Sequence, residues 1–178
     1  MLNWLTKRAR RKRNAHDIYG SIVALSRSPA LYTQFGIPDT LEARFEALLL
    51  HVILFVSRVR HSDEDAEPMA QEIVDLFFAD LDTTSRELGV GDLTVPKKMR
   101  KLATVYQDRI AQYGNAIVAE DRDDLSKEFK QIVYHDDESA ERHATMLADY
   151  ARNLMRELMQ TPLEELRCVH ERINEQQE

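Results

Sequence analysis

The residues best placed by type and spacing to do chemistry lie between Leu88 and Lys101, in the order Leu-Gly-Val-Gly-Asp-Leu-Thr-Val-Pro-Lys-Lys-Met-Arg-Lys. Two of the chain's 5 glycines, Gly89 and Gly91, stand here, and Lys97, Lys98, Arg100 and Lys101 follow Pro96. The stretch closes one helical pattern and opens another. Cations in a first turn face the positive end of the helix macrodipole, each unfavourable by roughly 0.3–1 kcal/mol. A chain that breaks this rule four times in one turn either compensates the charges with nearby acids or keeps them for a partner. Asp80, Asp82, Glu87 and Asp92 are the acids within reach across the turn. The other reading is that the cations dock an acidic or membrane-proximal partner segment, where rim charge mainly steers and orients a complex.

Catalytic patterns are missing. Gly89-Val90-Gly91 lacks the further glycine and preceding strand of a dinucleotide fingerprint, and no Gly-x-Ser-x-Gly elbow occurs. Asp80-Leu81-Asp82 and Asp123-Asp124 are too short for the Mg²⁺ motifs of helical prenyl-transfer enzymes, and Asp80 and Asp82 point about 200° apart on one helix. His135, Asp136, Asp137, Glu138 and His143 are suitable metal ligands by type but have no recognised spacing, and read as a solvated helix connection. His51, inside an apolar helix, reads as a hydrogen-bonded core histidine, and the lone Cys168 as a partly buried small apolar side chain in a reducing compartment. The expectation is a non-enzyme with no metal and no cofactor.

Charge is unevenly spread. The chain has 178 residues and a net charge of −7, yet Lys7, Arg8, Arg10, Arg11, Lys12 and Arg13 carry six cations with no acid among residues 1–13. Removing those six from 24 leaves 18 basic against 31 acidic residues. An acidic body is a poor general nucleic-acid binder. With Leu2, Trp4 and Leu5 ahead of the cations, the run resembles a short interfacial anchor on anionic lipid. A solvated tail, or an arm by which a helical regulator attaches to nucleic acid, are the alternatives. The most apolar run, Ala47 to Val56, is far short of the roughly 20 residues that span a bilayer, and charges that follow the first apolar residues do not order as a secretory signal. The expected place is cytoplasmic, peripheral on the inner membrane of a bacterium, or the matrix face in a mitochondrion.

These residues have to be positioned by helices, because helical periodicity runs almost throughout and no strand alternation is convincing. One all-α domain of about seven helices is expected over 14–178, preceded by the basic segment 1–13. The first helix is expected at about Ala15–Ser26. The second, Leu41 to Arg60, is apolar on most of its circumference, so it is either central or keeps a face for a partner; Asp39 or Thr40 caps it, with Glu42 three residues after Asp39. Further helices are expected from Pro68 to Leu88 (with Gly89 as its C′ residue), Val95 to Ala119, a short one to Tyr134, Glu138 to Gln160, and a last one opened by Thr161-Pro162 with Thr161 as N-cap.

From Asp80-Leu81-Asp82 through Arg86-Glu87-Leu88-Gly89-Val90-Gly91-Asp92-Leu93 and Val95-Pro96-Lys97-Lys98-Met99 to Tyr106 and Tyr113, and again at Thr40, Arg44, Phe45 and Leu50-His51-Val52, the chain resembles the ubiquinol–cytochrome c chaperone family. Thr94 stands where many members have glycine. The resemblance spans about Leu31 to Ile117 and implies a non-enzymatic helical chaperone that binds newly made cytochrome b at the membrane surface during bc1 complex biogenesis. Mitochondrial members act with a small partner subunit. On this resemblance Arg44, His51, Asp80, Asp82, Arg86, Gly89, Gly91, Asp92, Lys97, Lys98, Arg100, Lys101, Tyr106 and Tyr113 are expected to serve partner binding. Trp4, Lys7, Arg8, Arg10, Arg11, Lys12 and Arg13 would meet the membrane.

Overall fold

The helix that the sequence makes apolar on nearly every side is the one around which the rest is assembled. In the computed structural model, which describes residues 2–62, 66–118 and 122–175, the α-helices are α1 (Leu2–Ser26), α2 (Pro29–Thr33), α3 (Leu41–Arg60), α4 (Ala66–Glu87), α5 (Val95–Val118), α6 (Arg122–Ile132), α7 (Glu141–Gln160) and α8 (Val169–Glu175). No strand occurs among these residues. Helix α3 packs against α1, α4, α5 and α7, and Leu49, Val52, Leu54, Phe55 and Val59 have no exposed surface. Away from its two ends α3 has no exposed residue. Of the two roles its composition allowed, the central one holds, and no long open face is left for a partner. Thr40 caps it by accepting from the Ala43 N–H at 3.2 Å. Asp39 is occupied elsewhere, accepting from Arg44 Nε at 2.6 Å.

Helix α1 begins at Leu2, well before the expected Ala15. Lysine and arginine are good helix formers, and one of them is tied down. Arg11 donates from Nε and Nη2 to Glu72 Oε1 of α4, both at 3.2 Å. Two turns on, Tyr19 donates to Asp80 at 2.9 Å. Both pairs are separated by 61 residues, so α1 and α4 run parallel in fixed register.

The C-terminal third departs from expectation in two places. The helix expected from Thr161 is displaced, because Thr161 ends α7 and does not cap a new helix. Its Oγ1 donates to the Glu157 carbonyl at 2.8 Å, while Arg58 of α3 reaches the Leu158 and Thr161 carbonyls at 2.7 and 2.8 Å, a cation on a helix C-terminus. A 3-10 turn (Leu163–Glu165) and the short α8 follow. Helix α7 itself starts at Glu141, after a 3-10 turn (Glu138–Ala140) that Asp137 caps by accepting from the Ser139 N–H at 2.8 Å. Nearby, Gly36 at φ +64° lies so close to His143 that a Cβ would meet the imidazole at 2.9 Å, and the same imidazole stacks on Tyr134.

His51 is wholly buried. Its Nδ1 lies 2.7 Å from the Ala47 carbonyl, so Nδ1 carries the proton, and Nε2 accepts from the Tyr150 hydroxyl at 2.7 Å. Burial pushes this imidazole from 6.5 down to about 4. Above pH 6.5 both folded and unfolded chains hold it neutral. Below that the unfolded chain takes up a proton the folded chain refuses, so stability falls between pH 6.5 and about 4, by about 3 kcal/mol in all. Urea midpoints measured across this window should show the loss, and it should shrink in a His51→Gln variant. Tyr150→Phe, which leaves Nε2 unpaired, should cost about 1–3 kcal/mol at neutral pH.

Candidate docking groove at the α3–α4–α5 corner

The α4–α5 connection is built by local rules. Gly89, at φ +80°, ends α4: its N–H donates to the Arg86 carbonyl at 2.9 Å and the Val90 N–H to the Ser85 carbonyl at 3.0 Å. That pair of bonds is a Schellman cap, which needs a residue at positive φ. The Thr94 and Val95 N–H groups then return to the Gly91 carbonyl at 2.7 and 3.2 Å, and α5 starts with Val95 buried.

Three of the four acids within reach of the cations have other partners. Arg86 holds Asp82 through Nε at 2.7 Å and Asp92 through Nη1, and Asp80 accepts from Tyr19 on the α1 side. Among the described residues Lys97, Lys98, Arg100 and Lys101 form no ion pair, and the first turn of α5 holds no acid. The compensated corner is therefore not what forms. The cations are not equivalent either. At about 100° per residue, Lys98, Leu102, Val105 and Arg109 share one face, Lys101 stands about 60° from Lys98, Lys97 about 100°, and Arg100 lies on the opposite side.

The Lys98 face lines a groove of about 310 Å³. Leu81, Thr84, Ser85 and Leu88 of α4 form the facing wall, and Leu41, Glu42, Phe45 and Glu46 of α3 close it. Leu41 and Leu88 are 55% and 57% exposed, and Leu93, on the turn beside it, is 98% exposed. Two leucines left in water on the walls of one concavity, with a third on the adjoining turn, mark a contact surface rather than scattered apolar exposure. Beneath them Glu46, 9% exposed, accepts from Arg109 Nε and Nη2 at 3.0 and 2.9 Å and from the Tyr113 hydroxyl at 3.3 Å. The paired charges leave that floor neutral.

The other expected partner residues separate by burial. Arg44, Asp82, Arg86, Gly89, Gly91, Asp92 and the four cations reach solvent, whereas His51, Tyr106 and Tyr113 are buried. These three cannot touch a partner directly; Tyr106 shapes the corner from below through its ring contacts with Phe77 and Phe78 and Tyr113 through Glu46, whereas His51 faces Tyr150 of α7, away from the groove. Arg44 pairs with Asp39 and lies 5.5 Å over the Tyr32 ring, outside the groove. In the N-terminal run Lys7, Arg8, Arg10, Lys12 and Arg13 are exposed and Arg11 is half-buried on Glu72; the Trp4 side chain lies outside the described residues. The groove walls on α5, above all Leu102 and Val105, escaped the sequence reading. The available signal was Glu46, an acid inside an apolar helix, which demands a buried partner such as Arg109.

Among the described residues no helix is long and apolar enough to cross a membrane. Residues 33–170 match the profile of the ubiquinol-cytochrome C chaperone family. The chain is 24% identical over 91 residues to the ubiquinol-cytochrome-c reductase complex assembly factor 1 of Xenopus laevis, covering 51% of this chain and 46% of that one. The Mus musculus factor of the same name is 23% identical over 141 residues, 79% of this chain and 48% of that one. These alignments therefore span just under half the length of the curated relatives. The crystal structure of the Cbp3 homolog from Brucella abortus is similar throughout, with a TM-score of 0.81 and 35% identity over 94% of this chain and 93% of that one. The whole groove lies inside the matched residues; the basic run lies outside them.

The cap geometry gives a contrast that thermal or urea unfolding can read. Neither Gly89 nor Gly91 has an atom within 4 Å of where a Cβ would stand, but only Gly89 has positive φ. Gly89→Ala should cost about 1–2 kcal/mol from backbone strain alone, and Gly91→Ala should stay within about 0.5 kcal/mol of the parent.

Proposed function

The chain belongs to the ubiquinol–cytochrome c chaperone family, and from that premise we propose that it is an assembly chaperone of the respiratory bc1 complex that holds newly made cytochrome b at the membrane surface. The observation that carries this reading is the uncompensated positive corner beside an apolar groove, in a chain of net charge −7. The names of the relatives agree with it, since each is an assembly factor of the ubiquinol–cytochrome c reductase complex. The residues of the corner bind and orient; nothing in their chemistry calls for a cofactor or a reaction step. The exposed cations of α1 are proposed to rest on anionic lipid at the cytoplasmic face of a bacterial inner membrane, where basic side chains near the surface contribute about 1 kcal/mol each. A small second subunit, as in the mitochondrial members, would have to find its own surface on this body.

Two measurements test the proposal. In cells lacking the native gene, Lys98→Glu with Lys101→Glu should lower the bc1 complex on native gels at least about threefold, while Arg100→Glu, on the far side of α5, should leave it unchanged; normal complex in the double variant would sink the site. Replacing Lys7, Arg8, Arg10, Lys12 and Arg13 by Gln, with Arg11 kept on Glu72, should abolish cosedimentation with phosphatidylglycerol vesicles. Undiminished vesicle binding would remove the anchor, and salt-sensitive retention on RNA or DNA by the parent, lost in this variant, would favour the regulator alternative.

A further inference from the structure

The walls of the groove have a length and a pattern, and these describe what fits between them. Along α4 the lining residues Leu81, Thr84, Ser85 and Leu88 follow one another at intervals of three, one and three; along α5 Lys98, Leu102, Val105 and Arg109 do so at four, three and four. Phe78 meets Tyr106 and the two helices are joined across the Gly89–Thr94 turn, so the walls are antiparallel. At 1.5 Å per residue they extend about 10 Å and about 16 Å, the length of two to three helical turns. A helix laid between two helices presents anchors at i, i+3 or i+4, and i+7, the same spacing as these rows. No strand edge exists among the described residues to which an extended segment would add.

Charge then sets the orientation and composition of the occupant. On the α3 wall the buried Glu46–Arg109 pair is electrically satisfied and Glu42 adds one exposed carboxylate. The turn end is not satisfied: Lys98 lies in the wall, Lys101 flanks it, and neither has an ion pair among the described residues. Thr84 and Ser85 interrupt the apolar wall with hydroxyls that make no side-chain hydrogen bond among the described residues. An acyl chain would leave those hydroxyls and the buried ion pair against hydrocarbon, which disfavours a lipid tail as occupant.

Resting on the chaperone reading above, we propose that the groove takes an amphipathic helix of a partner protein, about three turns long, whose apolar face is edged by acidic residues at the end that meets Lys98 and Lys101. Because the rest of the body is acidic, such an edge is attracted at this corner and repelled elsewhere, which fixes the helix in one direction.

The test uses the full chain and synthetic stapled helical peptides of about three turns, with leucines at i, i+4 and i+7 and one edge made Glu, Gln or Lys, read by fluorescence anisotropy. The Glu-edged peptide should bind at least about tenfold more tightly than the Gln-edged one, and the Lys-edged one most weakly, with the spread closing as salt is raised. Lys98→Glu with Lys101→Glu should invert the order, Arg100→Glu should preserve it, and Leu88→Asp at the exposed wall should weaken all three. Equal affinities for the three peptides would overturn the proposal. So would absence of peptide binding together with phosphatidylglycerol vesicle binding that depends on Lys98 and Lys101, which would make the occupant a lipid surface. A reduced bc1 complex in the double variant alongside either result would leave the chaperone reading standing and remove this inference alone.

Discussion

A helix with apolar residues on nearly all sides can exist in water only if it is surrounded, and the burial of α3 is the constraint from which the rest of this molecule follows. Fully burying a large aliphatic or aromatic side chain contributes about 1.5–3 kcal/mol, and α3 supplies many. Four helices are required to cover its circumference, and α1, α4, α5 and α7 do so. Apolar contact alone would let α3 rotate or slide among them. Two buried polar residues prevent this, since Glu46 has to find Arg109 and His51 has to find Tyr150. Each is costly if unpaired, so the register of α5 and of α7 against α3 is chosen by hydrogen bonds while the stability comes from area.

The groove is where that cover runs out. At its N-terminal end α3 begins with Leu41 in solvent, and the groove opens between α4 and α5 on the side of the turn that joins them. Arg86, by taking Asp82 and Asp92 together, draws two of the corner's carboxylates onto itself, and the α5 cations form no ion pair among the described residues. A single arginine thus converts what the sequence offered as a self-compensated turn into a positive one. Exposed ion pairs add little stability; here their effect is on which charges remain available.

How much of this was legible from the sequence depends on the range of the interaction. The Gly89 cap, the Thr40 cap and the bounds of α3 obey rules written within a few residues, and they stand where local chemistry puts them. The start of α1 and the start of the last helix do not, because they are decided by Arg11 meeting Glu72 and Arg58 meeting the carbonyls of Leu158 and Thr161, partners 61 to 103 residues away. The groove was hidden for a third reason. A leucine on an apolar stripe reads the same whether a neighbour covers it or not, so Leu102 was indistinguishable from core. Likewise a run of cations gives no sign of which helical face each one takes.

Helix α1 does more than wrap the core. Its constant offset from α4 puts Leu88, at the mouth of the groove, level with the C-terminal end of α1, while the cations of the N-terminal run lie about 25 Å back along the same axis. The helix is a rigid spacer between two positively charged ends, with a span close to the roughly 30 Å hydrocarbon thickness of a bilayer. If the bundle stands upright on its basic end, whatever sits in the groove is held clear of the lipid by that distance. If it lies on its flank, both ends touch the same plane. Under the proposed membrane seating, the length of this one helix would set the height at which a bound segment is presented, and each added turn would move it by about 5 Å.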